Sequence, residues 1–255
     1  MLSLLPYSFR FTCIAWMLAL IPSLKAEYRS FSSSDGVTIE AELVEATKEK
    51  VTIRRTDGMV FKDVPLSRFS EADRLHVDQW LEEQKAIAAT PDITAESKLR
   101  LYVLAGREEE IVDKNDDRIR FVPYRPQVVI QSEEKETDYR AVRGTLVFLG
   151  NGMNDNDTYI ILQSQDFVMD VLSRQKSIWE GQSFQSSYHL DKGGYGYCGY
   201  LLILRDREGQ IILSKASNSS WEQNPRRVLA AKNSYGYNVE FTQSKQLMTT
   251  FGLPE

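Results

Sequence analysis

The chain has 255 residues, of which 42% are hydrophobic and 11% aromatic, and it carries a formal net charge of −5. That apolar content is enough for one large or two small packed domains and excludes compositional disorder. The acidic balance gives no electrostatic footprint for nucleic acid, so no nucleic-acid partner is expected.

The first 26 residues differ from the rest. Arg10 is followed by the apolar run FTCIAWMLALIPSL (11–24), then by Lys25-Ala26 and a charged sequence. A basic start, a short apolar stretch and a small residue before the cut describe a secretory signal peptide, with cleavage expected after Ala26. The run is shorter than the roughly 20 apolar residues of a membrane span. The expected mature chain is exported to the periplasm, cell envelope or exterior, with no membrane span. Loss of Arg10 and Lys25 leaves 29 basic against 36 acidic side chains, a net −7, and Cys198 as the one remaining cysteine. No intrachain disulfide can then form.

Residues 28–66 read as short strands. Ile39, Ala41 and Leu43 alternate with polar neighbours, as do Val51 and Ile53, and Asp57-Gly58 supplies a tight-turn signal. The period then changes. Ser70-Glu71-Ala72-Asp73 is a capping box, in which the Ser70 hydroxyl and the Asp73 carboxylate would each take a free backbone donor. Leu75, Val77, Trp80, Leu81, Ile87 and Ala88 follow as an apolar stripe, predicting a helix from about Glu71 to Ala89. Thr90-Pro91-Asp92 ends it. The expected domains are 27–89 and 98–255, with 90–97 as linker.

Strand-like runs dominate thereafter: LRLYVLA (99–105), IRFVPYRPQVVIQS (119–132), GTLVFLG (144–150), TYIILQS (158–164), YLLILRD (200–206) and QIILSKA (210–216). Short strands separated by turn signals predict an antiparallel β-sandwich, immunoglobulin-like or jelly-roll-like. DREGQ (206–210) reads as a hairpin turn. Asn224-Pro225 predicts a short helix with Asn224 as cap.

Several stretches could carry chemistry. GGYGYCG (193–199) contains G-x-G-x-x-G at Gly194, Gly196 and Gly199. A dinucleotide loop follows a strand and opens a helix, where free N–H groups meet the pyrophosphate. Here a strand follows, so the stretch reads as a glycine-rich strand entry with a bulge, and no cofactor is expected. Cys198 with His189 is the one nameable nucleophile–base pair; a lone cysteine in such a strand otherwise serves as a small buried apolar residue. Asn151–Asp157 is oxygen-rich, with Asp155 and Asp157 as candidate calcium ligands, but it lacks the later bidentate Glu of a helix–loop–helix site. Trp179, Tyr195, Tyr197, Tyr200 and Trp221 are the candidate ligand-binding aromatics, because stacked rings with polar tips bind peptides and sugars with little entropy cost.

Residues 29–81 resemble a known family. Arg29-x-Phe31, the Gly36 turn, Ile39-x-Ala41-x-Leu43, Val51-x-Ile53, Asp57-Gly58, Val64-Pro65-Leu66 and Phe69-Ser70-x-x-Asp73 are similar to the Sla homology domain, first named in a yeast endocytic adaptor. The resemblance implies a small SH3-like barrel closed by a helix. Similar modules occur in exported planctomycete and verrucomicrobial proteins, where a β-rich domain is often attached; YGYCGYLLILRDREGQII looks like that attachment. The adaptor's domain recognises short Asn-Pro-Phe-type peptides, and none of its contact positions is carried over to this chain.

The expected protein is mainly β and non-enzymatic, and binds a protein, peptide or glycan at the cell envelope. The alternatives are a thiol enzyme using Cys198 and His189, or an envelope component that self-associates.

Overall fold

The computed structural model describes residues 28–154, 157–232 and 235–246. The expected signal peptide and Asp155 lie outside them. The fold is mainly β, with its sheets antiparallel.

The N-terminal unit is a meander of β1 (Arg29–Ser32), β2 (Thr38–Ala46), β3 (Lys50–Arg55) and β4 (Val60–Pro65). A 3₁₀ turn at Leu66–Arg68 leads into α1 (Glu71–Ala89), and a bridge between Ser33 and Phe69 brings the two ends of the meander together. The alternation read from the sequence points Phe31, Ala41, Val51 and Ile53 inward, against Leu66, Phe69 and Val77. The helical stripe is narrower than expected. Val77 is buried and Leu81 packs beside it, but Leu75 is 59% exposed.

The capping box also differs in one arm. Ser70 Oγ accepts from the Asp73 N–H at 3.2 Å, as expected. The Asp73 carboxylate does not take the Ser70 backbone N–H. It accepts from the Ser32 N–H at 2.8 Å, the Ser70 hydroxyl at 2.7 Å and the Arg29 guanidinium at 3.1 Å. Asp73 thus ties α1 to β1, and the Ser70 N–H is taken by Ser32 O at 2.8 Å.

The second unit contains β5 (Leu99–Leu104), β6 (Ile111–Val112), β7 (Ile119–Tyr124), β8 (Gln127–Ser132), β9 (Tyr139–Gly152), β10 (Tyr159–Val171), β11 (Lys176–Glu180), β12 (Phe184–His189), β13 (Gly193–Arg205) and β14 (Ile211–Ala216). After them come α2 (Ser219–Gln223), α3 (Pro225–Leu229), β15 (Tyr235–Tyr237) and β16 (Gln243–Gln246). The large sheet runs β16-β15-β10-β9-β13-β12-β7-β6, with β14 also on β13, and the small one runs β11-β8-β5. Residues 119–132, a single strand-like run in sequence, therefore serve both sheets. Arg125-Pro126 turns the chain from β7 in one to β8 in the other.

The two sheets enclose a core that includes Val128 and Ile130 of β8 and Leu146, Phe148, Ile160, Leu202 and Leu204 of the large sheet. The opposite face of the large sheet is also buried. Val147, Leu149, Ile161, Leu201 and Ile203 lie under Trp221, Val228, Tyr237 and Phe241 from the C-terminal segment. Central strands buried on both faces explain why β9, β10 and β13 read as continuous apolar runs. α3 begins with Pro225 after Asn224, as expected, although the Asn224 side chain donates to Ser220 O at 2.9 Å and makes no cap bond to α3.

The stretch 90–97 is pinned to the second unit at Asp92 and Ile93. Ile93 is buried in the sandwich core, and Asp92 Oδ2 accepts from the Arg207 N–H at 2.7 Å.

Candidate functional site

GGYGYCG forms the first half of β13. Gly193 pairs with His189 of β12, and from Tyr195 onward the strand pairs with β9. Between Tyr197 and Gly199 the β13–β9 register shifts, and Cys198 is the extra residue of a bulge. The bulge reverses the side-chain alternation. Tyr195 and Tyr197 face the sandwich core before it, and Tyr200, Leu202 and Leu204 face the same core after it, while Cys198, Leu201 and Ile203 face the C-terminal layer. Strand β10 shifts between Ile161 and Gln163, against the Leu149–Phe148 step of β9, whereas the β13 bulge lies against the Gly150–Leu149 step. Two bulges thus lie against adjacent peptides of the central strand, on either side of Leu149.

Cys198 fits this position because it is small and its thiol donates to Leu149 O at 3.3 Å. Burial pushes the thiol up to about 12. His189 is buried at the β12–β13 turn. Its Nδ1 accepts from the Asp191 and Lys192 N–H groups at 3.1 and 3.3 Å, which leaves the ring proton on Nε2, 3.5 Å from Asp116 Oδ2. His189 lies opposite Gly193, five positions before Cys198, or on the order of 16 Å of strand. The structure does not bring Cys198 and His189 together.

The candidate aromatics are divided between the two cores. Tyr195 is buried, and Tyr197 packs against Tyr124 and Phe148 with ring centroids 5.1 and 5.9 Å apart. Burial pushes the Tyr197 hydroxyl up to about 12. Trp179 stacks on Phe167 at 4.8 Å, and Tyr200 is half-buried at the core margin. Trp221 lies on the opposite face, edge-on to Tyr159 at 5.5 Å, with its indole N–H buried and without an acceptor among the described residues. These rings do not form one exposed surface.

Asp157 is exposed. Among the described residues no group of three or more His, Cys, Asp or Glu side chains is placed to hold a metal ion. No described helix is long and apolar enough to cross a membrane.

The open feature lies elsewhere, at the side of the sandwich between β5 and β14. A groove of about 310 Å³ is lined there by Leu99, Leu101, Tyr102, Leu213, Ser214 and Lys215. Strand β5 pairs with β8 alone and is an edge of the small sheet. The Glu133 N–H bonds Lys98 O, which fixes the phase of this ladder. Arg100, Tyr102 and Leu104 bond to β8, so the backbone groups of Leu101 and Val103 point out of the sheet. Arg100 is bridged to Glu133 at 2.6 Å, whereas Lys215 is exposed and makes no ion pair among the described residues. A second cleft of about 270 Å³ lies in the C-terminal layer among Arg227, Lys232, Tyr235, Tyr237 and Phe241. The sequence did mark β5 as a strand. Nothing local marks it as an edge, because edge status depends on which strands are missing beside it.

No family model matches the chain, and no curated protein matches it. A crystal structure of a protein from Akkermansia muciniphila is similar at a TM-score of 0.27 and 8% identity, covering 52% of this chain and 78% of the other. The sporulation control protein Spo0M from Bacillus subtilis is similar at a TM-score of 0.23 and 12% identity, covering 52% of this chain and 55% of the other. Likenesses this weak place no function on the chain.

Proposed function

We propose that this is an exported, non-enzymatic binding protein that engages a protein or peptide partner at the cell envelope. The observation that carries the reading is the open side of the sandwich, where an unpaired strand edge borders a groove of mixed apolar and polar lining. Exposed edges are aggregation hazards that folded proteins usually blunt, so one kept open beside a groove has a use. The apolar stretch at 11–24 supports export. The four-stranded meander, its 3₁₀ turn and α1 support reading residues 29–81 as an SH3-like module of the Sla homology kind, attached to a β-rich domain that does the presenting.

The test is affinity capture from periplasmic and cell-surface extracts with the purified mature chain as bait. A specific partner, recovered stoichiometrically and competed by free protein, is expected. Recovery of nothing above a scrambled-surface control sinks the proposal.

A further inference from the structure

Resting on that reading, we infer that β5 accepts an extended partner segment as a fourth strand of the small sheet, and that this segment carries a carboxylate side chain for Lys215.

The first support is the state of the edges. On β14 the Ala216 N–H is taken by Glu222 Oε2 at 3.2 Å, and Ser214 Oγ donates to Glu222 O at 3.2 Å, so α2 covers the Ser214–Ala216 end of that edge. Strand β4 carries Asp63 at φ 54 and ends in Pro65, and β6 has two residues only. Strand β5 has six residues, with no proline, glycine, bulge or inward-pointing charge. The Leu99 N–H is used by Ser97 O, but the outward N–H and C=O groups of Leu101 and Val103 meet no partner among the described residues. An added strand would satisfy all four of these groups.

The second support is the pair of surfaces that such a strand would meet. Residues opposite Leu99, Leu101 and Val103 would point into the groove toward Leu213, which calls for aliphatic side chains there. Residues opposite Tyr102 would point outward beside a row already formed by Tyr102, Val129 and Ile178, with Tyr102 and Ile178 45% and 59% exposed. β-branched or aromatic residues extend that row. Lys215 is on the groove side of β14, directly opposite Leu202. Its ammonium, the unpaired charge at the groove, is complementary to Asp or Glu on the inward face of the segment.

The probe is the synthetic heptapeptide carboxyfluorescein-Thr-Val-Thr-Val-Thr-Glu-Thr-amide, followed by fluorescence anisotropy against the full mature chain. Expected outcomes are measurable binding, at least tenfold weakening when the peptide's Glu becomes Lys, and inversion of that preference in Lys215→Glu. Methylation of alternate peptide nitrogens on the pairing edge should remove binding. Absence of binding by the unmodified peptide, or indifference to both charge changes, overturns the inference. Val103→Pro removes an outward N–H that no other group uses, and folding is checked by circular dichroism. If Val103→Pro does not fold, the exposed Lys215→Glu change carries the test alone. An envelope partner captured equally by wild type and by folded Val103→Pro overturns the β5 site and leaves the binding reading standing. Failure of both proteins to capture anything overturns both.

Discussion

Arg207 Nη2 donates to the carbonyl oxygen of Ile87 at 2.7 Å, joining the tip of the β13–β14 hairpin to the last turn of α1. The same nitrogen reaches Thr90 O at 2.9 Å and Thr90 Oγ1 at 3.0 Å. α1 has no basic residue of its own in its last turn. Its last-turn carbonyls, where Ile87 O also accepts from Thr90, and the negative end of its dipole are therefore met by a cation from the second unit. Arg207→Ala should cost about 2 kcal/mol, the scale of charge-assisted hydrogen bonds, with Lys restoring part of it. Chemical denaturation measures the loss. Amide exchange at Ile87–Thr90 should accelerate more than exchange in β9, and uniform acceleration would contradict the cap.

Asp73 does the same at the other end of α1. Asp73→Asn keeps the volume but loses the ion pair to Arg29 and weakens the acceptor for Ser32. The expected loss is about 1–3 kcal/mol. Protection of the Ser32 amide from exchange reports it directly, and an unchanged Ser32 amide would refute the role.

The glycines of G-x-G-x-x-G should not behave alike. A Cβ on Gly194, whose φ is 150, would sit 2.7 Å from Ser187 O, and one on Gly199 would sit 2.8 Å from the Trp221 ring. Gly196 faces open space. Gly194→Ala and Gly199→Ala should each lose about 1–3 kcal/mol by overpacking, and Gly196→Ala about 0.5 kcal/mol or less. Thermal unfolding distinguishes them. Equal losses at all three would contradict the different surroundings of these glycines in β13.

Cys198 should be inert to thiol reagents at neutral pH, because its thiol ionises only near 12 and lies in the bulge. Rapid single-site alkylation of the native protein would contradict this. The linkage also has a sign. Below about pH 9, the ordinary cysteine value, folded and unfolded chains both hold the proton. Above it the unfolded chain ionises first, so stability falls as pH rises from about 9 to about 12. Tyr197 adds to the fall in the upper part of that range. Cys198→Ala should flatten the alkaline limb and leave the neutral plateau nearly level.

By itself the sequence determined the elements whose pattern is local. Alternation at Ile39, Ala41 and Leu43 marked β2, and the capping residues Ser70 and Asp73 marked the start of α1. The apolar runs marked the cores of β9, β10 and β13, and DREGQ marked the hairpin whose Gly209 has φ 84. Each follows from the chain's own period and turn chemistry. Strands β11 and β12 were missed because KSIWE and FQSSYH are short and polar, and become strands only by pairing with β8 and β7. Tertiary structure alone decided that β7 and β8 belong to different sheets, that Cys198 occupies a bulge, and that Trp221 faces away from Trp179. It alone left one side of β5 without a neighbouring strand. These features depend on backbone bonds between residues far apart in the chain, and a local period carries no information about which edges meet.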